Sequence, residues 1–323
     1  MNLSNMKFSV IIIGTGQLGK RYLDGIAGCS LPLEIWLCDS SPQALFEASS
    51  SKAANKLKNT TNPVLIASKI KDLPEKVDLC IVTTTANVRS VVCQELAEKC
   101  APNYWILEKF LSQSESGLRT IEFCTQLASR AWVNLPRRAM AWHRKIGKHL
   151  QNFGPLKMRV SGGRWGLACN AVHFLDLCAF WSTEEVVSID NRGLHPEWIP
   201  SKRSGFSEIL GTLEVNYSGG SLLRLECHED ECPLQITIEN DSSRWSIKEV
   251  EGVAMRSDGV TCKGKLDLQS DLTGPLVESI LTTGECLLPD LRTAMPPHRE
   301  LLRSFLEHWN NSGKCQDKNL PIT

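Results

Sequence analysis

The chain has 323 residues, which at about 150 residues per domain suggests two domains. Its 36 basic and 36 acidic side chains cancel, which argues against a nucleic-acid binder, and its 42% hydrophobic content argues against disorder. The apolar run Val10 to Ile13 is too short to span a bilayer, and no signal-peptide cleavage site follows it. We expect a cytoplasmic globular protein without nucleic-acid or membrane partners.

The first 128 residues alternate apolar strands with amphipathic helices. The predicted strands are Phe8 to Ile13, Leu33 to Leu37, Val64 to Ala67, Val77 to Val82 and Tyr104 to Leu107, with a sixth from Trp132. The predicted helices are Gln17 to about Ala27, one beginning at Pro42, Val88 to Cys100 and Glu115 to Ala128. Repeated βαβ units imply a doubly wound parallel sheet, so we assign 1–128 to an α/β Rossmann domain.

A different pattern begins at residue 129. It includes a strand within 156–165, a helix over 169–182 and two hairpins, Gly211 to Cys227 and Leu234 to Val250. We predict that 129–323 forms an α+β domain, an open antiparallel sheet with a helix on one face. Because the connection is short, the domains should touch and leave a cleft. Near the end, His298 after two prolines predicts a helix start.

A glycine-rich turn follows the first strand. The residues Ile13-Gly14-Thr15-Gly16-Gln17-Leu18-Gly19 contain the pattern GxGxxG and open a helix, as in dinucleotide-binding folds. Gly14 permits the tight turn, Gly16 lets the backbone approach a pyrophosphate, and Gly19 allows close helix–strand packing. The N–H groups at the helix N-terminus then receive the phosphate charge. We therefore predict a cofactor site at Gly14, Thr15, Gly16, Gln17, Leu18 and Gly19.

Asp39 ends the second strand, twenty residues after Gly19. A carboxylate at this position accepts hydrogen bonds from the adenosine ribose and repels a 2′-phosphate. No Arg or Lys follows in Ser40-Ser41-Pro42, so we predict NAD rather than NADP. A Rossmann domain that has lost its nucleotide is the alternative.

Two motifs carry groups that can move a proton. Glu108-Lys109 ends the fifth strand, where the ligand crevice of a doubly wound sheet opens. A surface lysine beside a glutamate is an equally supported interpretation of this pair. His173 and Asp176 share one face of the predicted helix. A core histidine bonded to Asp176 is the alternative there.

Polar side chains near the domain crossing form a candidate substrate site. Guanidinium groups suit carboxylate or phosphate recognition, and solvated arginines are the alternative. The candidates are Asn134, Arg137, Arg138, Arg164, Trp165, Asn170 and Asp176.

The thirteen cysteines show no disulfide framework, so we expect reduced thiols. Cys227 and Cys232 flank acidic residues and a histidine, but no second pair has zinc spacing. We predict no metal site.

These motifs occur in an order that resembles the glucose–fructose oxidoreductase, inositol dehydrogenase and MocA (Gfo/Idh/MocA) family. The matching stretches span nearly the whole chain: Gly14 to Gly19, Asp39, Thr84 to Asn87, Glu108-Lys109, Asn134 to Arg138, Val172 to Asp176, Met295 to Arg299, Phe305 to His308 and Leu320 to Thr323.

The resemblance implies an NAD(P)-dependent oxidoreductase that interconverts an alcohol and a ketone on a sugar, cyclitol or derivative. It implies that Lys109 binds the reacting hydroxyl, His173 transfers its proton and Glu108 fixes the nicotinamide-side ribose. Thr84, Asn87 and Lys109 join the cofactor site by the same resemblance. It also implies a homo-oligomer, a dimer or tetramer, formed through the open sheet.

Two positions depart from the family pattern. Phe110 stands where the family usually has Pro, and Cys169 stands where it usually has Asp, four residues before the histidine. The chain is therefore either an enzyme with a changed substrate or proton route, or a non-catalytic NAD(P)-binding sensor. Reduction of a tetrapyrrole or an imine is a third reading. The arginines favour an anionic substrate, such as a sugar acid or a nucleotide sugar of surface-polysaccharide synthesis.

Overall fold

The computed structural model describes residues 7–60, 62–150, 154–313 and 315–323. The chain forms two compact units, and each is discontinuous in sequence. The first contains Met1–Leu111, Ser116–Asn134 and Asp267–Leu291, and the second contains Ser112–Glu115, Leu135–Leu266 and Arg292–Thr323. The single boundary between residues 128 and 129 remains a prediction, because domain limits need not coincide with these units.

The strands and helices are numbered in chain order. The strands are β1 (Phe8–Ile13), β2 (Leu33–Cys38), β3 (Val64–Ala67), β4 (Leu79–Val82), β5 (Tyr104–Leu107), β6 (Arg130–Val133), β7 (Lys157–Gly163), β8 (Val186–Pro200), β9 (Ser207–Tyr217), β10 (Leu222–His228), β11 (Gln235–Glu239), β12 (Arg244–Lys248), β13 (Val253–Arg256) and β14 (Thr261–Lys263). The helices are α1 (Gln17–Ile26), α2 (Pro42–Ser49), α3 (Lys52–Lys58), α4 (Ala86–Cys100), α5 (Glu115–Cys124), α6 (Ala141–Leu150), α7 (Leu167–Ser182), α8 (Gln269–Thr283) and α9 (Leu291–Gly313).

A parallel sheet organises the first unit. Its strand order is β3-β2-β1-β4-β5-β6, and every neighbouring pair runs parallel. Central strand β1 is fully buried over Val10–Ile12, as its β-branched sequence predicts for a strand covered on both faces. The predicted Rossmann-type sheet is therefore confirmed. Chain order reverses between β1 and β4, the place where such sheets open a ligand crevice.

Helix α8 packs with the first unit although it comes late in the sequence. Gly25 of α1 and Gly274 of α8 allow the two helices to approach closely. A Cβ atom on Gly25 would lie 2.6 Å from Thr273 Cβ, and one on Gly274 would lie 2.9 Å from the Gly25 carbonyl oxygen. Helix α8 thus packs against α1 within the first unit.

An eight-stranded sheet organises the second unit. Its order is β14-β13-β12-β11-β7-β10-β9-β8, and all neighbours are antiparallel except the parallel pair β7 and β10. Both predicted hairpins are confirmed, as β9–β10 and β11–β12. Helix α7 packs on the face formed by β9 and β10. The predicted α+β architecture is confirmed, with one parallel pair as a correction.

The last helix corrects the expectation of a start at His298. Helix α9 begins at Leu291 and carries Pro296 and Pro297 in its second turn. A proline inside a helix lacks an N–H donor and its ring crowds the carbonyl four residues earlier, yet buried Ala294 and Met295 continue the apolar face through this turn. The paired prolines therefore lie inside the helix.

Candidate active site

The glycine-rich turn joins β1 to α1 at the carboxyl end of the sheet. Gly14 has a φ of +89°, a left-handed conformation that favours glycine. Gly19 lies against it so closely that a Cβ atom would be 2.0 Å from the Gly14 carbonyl oxygen. A Cβ atom on Gly16, in contrast, would have no atom within 4 Å among its non-adjacent neighbours. Two glycines thus shape the turn, and the third leaves open space at the helix N-terminus.

Asp39 is fixed by two loops. Its Oδ2 atom accepts hydrogen bonds from the Thr15 N–H at 2.6 Å and the Thr15 hydroxyl at 3.2 Å. Its Oδ1 atom accepts a bond from the Ser41 N–H at 2.8 Å. Asp39 is half-buried, so it holds the turn while its carboxylate remains within reach of solvent. Gln17 and Leu18 begin α1 beside it, exposed and half-buried respectively.

The loop after β4 borders the same turn. The Thr83 hydroxyl donates to the carbonyl oxygen of Ile13 at 3.1 Å and also contacts that of Gly14. The next hydroxyl, of Thr84, is buried and has no hydrogen-bond partner among the described residues. Asn87 lies exposed in the first turn of α4. This loop therefore supplies a polar atom that a bound ligand would satisfy.

A buried arginine supports this loop, and sequence reasoning missed it. The Arg89 guanidinium is 1% exposed and donates to the carbonyl oxygens of Thr84, Phe110 and Leu111. It thereby connects the loop after β4 with the segment after β5. An arginine on a helix ordinarily points to solvent, and the three carbonyl acceptors help to offset the cost of burying this one.

Glu108 faces the interior of the first unit. Its Oε1 atom accepts hydrogen bonds from the Tyr22 hydroxyl at 2.5 Å and the Asn134 amide at 2.6 Å, and Glu108 is 4% exposed. Burial raises the pKa of Glu108 above its ordinary value, while the bonds from Tyr22 and Asn134 act in the opposite direction. The Asn134 amide also donates to Gln269 Oε1 at 2.7 Å. One Glu108 oxygen is thus engaged inside the protein.

Lys109 follows this network directly. It is half-buried, and the peptide bond between Lys109 and Phe110 is cis. Glu108 precedes Lys109 in the chain, and the Arg89 guanidinium donates to the carbonyl oxygen of Phe110, which follows Lys109. Asn134, predicted together with the arginines as a substrate group, lies in the first unit and contacts Glu108.

Helix α7 carries the candidate residues of the second unit. Within its first two turns only Cys169, Asn170 and His173 are half-buried, and the other residues are buried. Spacings of three and four residues put these side chains on one helix face. Asn170 donates to the Trp165 carbonyl oxygen at 2.9 Å, and the Cys169 thiol donates to the carbonyl oxygen of Thr323.

Arg137 and Arg138, both half-buried, form ion pairs with buried carboxylates. Arg138 bonds both Asp176 oxygens, at 2.6 and 2.9 Å, and Arg137 bonds both Glu249 oxygens at 2.9 Å. Burial raises the pKa of Asp176 to about 6, although Arg138 acts in the opposite direction. The pKa of Glu249 is lowered to about 2: burial acts to raise it, but Arg137 and His143 lower it more strongly.

The predicted residues before α7 are held by β10 and by the loop that follows it. Arg164 is exposed and donates to the Glu229 carbonyl and carboxylate oxygens, each at 3.0 Å. The Trp165 indole donates to the Glu226 carbonyl oxygen at 2.8 Å and packs edge-on against Phe174. Trp165 therefore adjoins the face of α7, whereas Arg164 points toward solvent.

Neither a metal cluster nor a membrane-spanning helix occurs in residues 7–60, 62–150, 154–313 and 315–323. In these ranges no three His, Cys, Asp or Glu side chains gather closely enough to hold a metal ion. No helix in the same ranges has the length and apolarity needed to cross a membrane. The thirteen cysteines, all within the described residues, are free thiols.

Comparison with known proteins gives structural neighbours only. No protein-family model and no curated protein sequence matches the chain. Many solved structures do match. An oxidoreductase from Agrobacterium radiobacter, solved with NAD+, L-tartaric acid and magnesium, has a TM-score of 0.71 at 13% identity, covering 95% of this chain and 97% of that chain.

Two further structures have similar scores. UDP-N-acetylglucosamine 3-dehydrogenase from Acidithiobacillus ferrooxidans has a TM-score of 0.70 at 11% identity, covering 96% of this chain and 98% of that chain. Aldose-aldose oxidoreductase from Caulobacter crescentus, complexed with glycerol, has a TM-score of 0.69 at 14% identity, with coverages of 96% and 98%. The chain therefore shares the two-sheet fold of these oxidoreductase structures.

Proposed function

We propose that the protein is an NAD(P)-dependent oxidoreductase that interconverts a secondary alcohol and a ketone on a sugar or polyol. The observation that carries this proposal is the turn at Gly14–Gly19, which is tied to Asp39 at the reversal point of the parallel sheet. The structural neighbours support it, because their names include sugar dehydrogenases and one of them was solved with NAD+.

The residues present fit a dinucleotide. The open space over Gly16 at the N-terminus of α1 suits a pyrophosphate, and the buried Thr84 hydroxyl lacks a partner among the described residues. The Asp39 carboxylate would accept hydrogen bonds from the ribose hydroxyls and would repel a 2′-phosphate, which favours NAD over NADP. The nicotinamide, when bound, supplies or accepts the hydride.

Lys109 and His173 are the proposed proton-handling groups. An ammonium such as that of Lys109 donates a hydrogen bond to a substrate oxygen, and an imidazole such as that of His173 takes or returns the hydroxyl proton near neutral pH. In the oxidation direction the alcohol thus loses one hydride and one proton.

The ion pairs favour a neutral substrate. The charges of Arg137 and Arg138 are balanced by Glu249 and Asp176, and Arg164 pairs with Glu229. A sugar acid or nucleotide sugar would have to compete with these carboxylates. We therefore propose an uncharged sugar or polyol first, and keep the anionic substrate as the second candidate.

The test combines binding with turnover. Purified protein is titrated with NADH and NADPH by fluorescence, and the oxidation of D-glucose, myo-inositol and UDP-N-acetylglucosamine is then followed by NADH absorbance. Lys109→Ala should lower kcat by roughly 10² to 10⁴, the usual contribution of a positioned acid or base, which is far more than it weakens NADH binding. Exposed Lys76→Ala is the matched control and should leave kcat unchanged.

A sensor without catalysis is the second candidate. It is favoured by Cys169, a thiol bound to a backbone carbonyl where the family resemblance implies an aspartate. Tight NADH binding without turnover of a broad sugar panel would favour this sensor. Absence of binding to both nucleotides would reject both functions.

Cofactor preference has its own test. Asp39→Ala should reduce the ratio of NADPH to NADH dissociation constants by about tenfold or more, because the repelling charge is lost. An unchanged ratio would remove Asp39 from this role. The cytoplasmic location and the homo-oligomer formed through the eight-stranded sheet also remain predictions, and the mass of the purified protein in solution tests the latter.

A further inference from the structure

The segment Leu320–Thr323 is fixed within the second unit. The Leu320 N–H donates to the Gln113 carbonyl oxygen at 2.8 Å, and the Gln113 amide donates to the Ile322 carbonyl oxygen at 2.9 Å. The Ser207 N–H donates to the Pro321 carbonyl oxygen at 2.6 Å. The side chains of Leu320 and Ile322 are fully buried. Three hydrogen bonds and two buried side chains thus give the segment one position.

This position places Thr323 on the accessible face of α7. The Cys169 thiol donates to the Thr323 carbonyl oxygen, and Thr323 itself is half-buried. Cys169 and His173 are four residues apart, so they are neighbours on one face of the helix. Thr323 therefore lies one helical turn from His173.

The start of α7 is held by the same strand that holds the segment. The Glu208 carboxylate, one residue after Ser207 in β9, accepts a hydrogen bond from the Ala168 N–H at 2.9 Å. Neighbouring residues of β9 thus fix both the first turn of α7 and the segment. Strand β9 therefore contributes to the placement of both Cys169 and Thr323.

We propose that Thr323 is a specificity-determining residue of the substrate site. In this role Thr323, held by Gln113 and Ser207, contacts the hydroxyl groups of the sugar or polyol next to the atom on which His173 acts. This inference rests on the proposed function of His173. Cys169 takes part by donating a hydrogen bond to the Thr323 backbone. The thiol would thus position Thr323, at a place in the sequence where the family resemblance implies a carboxylate.

The first test measures placement without enzyme activity. Iodoacetamide labelling of Cys169 is followed by peptide mass spectrometry in the wild type and in Gln113→Leu, which removes the bond to Ile322. Loss of this one neutral hydrogen bond loosens the segment and should speed Cys169 labelling about fivefold. The labelling rate of exposed Cys232 should stay unchanged. Equal Cys169 labelling rates would overturn the placement.

The second test measures substrate recognition. Thr323→Ala should raise KM about fivefold for whichever of D-glucose, myo-inositol or UDP-N-acetylglucosamine the wild type oxidises, with kcat and NADH affinity little changed. Exposed Lys318→Ala, earlier on the same stretch, is the control and should leave KM unchanged. An unchanged KM in Thr323→Ala would overturn the specificity role.

Failure of the proposed function is a separate outcome. If no sugar is oxidised, the same three compounds are tested for protection of Cys169 from iodoacetamide in the presence of NAD+. Protection in the wild type that is lost in Thr323→Ala supports the binding role even without catalysis. Absence of protection by all three compounds overturns it.

Discussion

The Tyr22 hydroxyl donates a 2.5 Å hydrogen bond to the buried carboxylate of Glu108. Tyr22 lies in the helix that follows the glycine-rich turn, and Glu108 precedes Lys109 at the end of β5. A single bond thus connects the proposed phosphate-binding helix with the segment that carries the proposed catalytic lysine. Both side chains are less than 5% exposed, so water cannot replace the bond.

Removing this hydroxyl should destabilise the first unit. Tyr22→Phe leaves a buried carboxylate with one donor fewer, which costs about 1 to 3 kcal/mol of unfolding free energy. The pKa of Glu108 should rise further, because the Tyr22 bond lowers it. Denaturant unfolding measures the change. Half-buried Tyr104→Phe is the control, and an equal effect in both variants would contradict the importance of the bond.

The Arg138–Asp176 pair should govern stability rather than substrate affinity. Arg138→Met leaves the Asp176 carboxylate buried without its cation and should cost roughly 3 to 5 kcal/mol. Adding Asp176→Leu should restore most of this loss, because no buried charge remains. A folded Arg138→Met variant of normal stability with a raised KM would instead assign Arg138 to the substrate.

Glu249 should make stability depend on acid pH. Its pKa is lowered to about 2 in the folded protein, against about 4.3 in an unfolded chain. Its contribution is therefore present above pH 4.3 and is lost as the pH falls toward 2. The difference corresponds to about 3 kcal/mol, which Glu249→Gln should lack over this window. Parallel pH dependences of unfolding for the two proteins would contradict this linkage.

Local sequence patterns were sufficient to predict the parallel sheet. The β-branched run Phe8 to Ile13 predicts a buried strand, and β1 occupies these residues. The Gly219-Gly220 turn likewise predicts the hairpin that β9 and β10 form, because turn geometry depends on neighbouring residues. Strand β8 was not predicted. Its side chains are mostly exposed or half-buried, and its pairing shifts register three times, so no alternation marks it.

Side-chain partners depend on residues distant in sequence and were the least predictable part of the site. The turn at Gly14 to Gly19 and the position of Asp39 directly after β2 could be predicted, because their spacing is local and specific. Nothing near Arg137 indicates Glu249, which is 112 residues away, and nothing near Arg89 indicates three carbonyl acceptors. Likewise, the close approach of Gly25 and Gly274 decides where α8 packs, but neither glycine shows this alone.

The most direct measurement is an NADH titration of the wild type, Gly16→Ala and Gly19→Ala, with an unfolding midpoint for each. Gly19→Ala should disrupt the turn, because its methyl group would overlap the Gly14 carbonyl. Gly16→Ala meets no protein atom, so it should keep the wild-type midpoint while NADH affinity falls at least about tenfold. A wild type that binds neither nucleotide, or a Gly16→Ala variant that binds NADH as tightly as the wild type, would contradict a pyrophosphate at this turn.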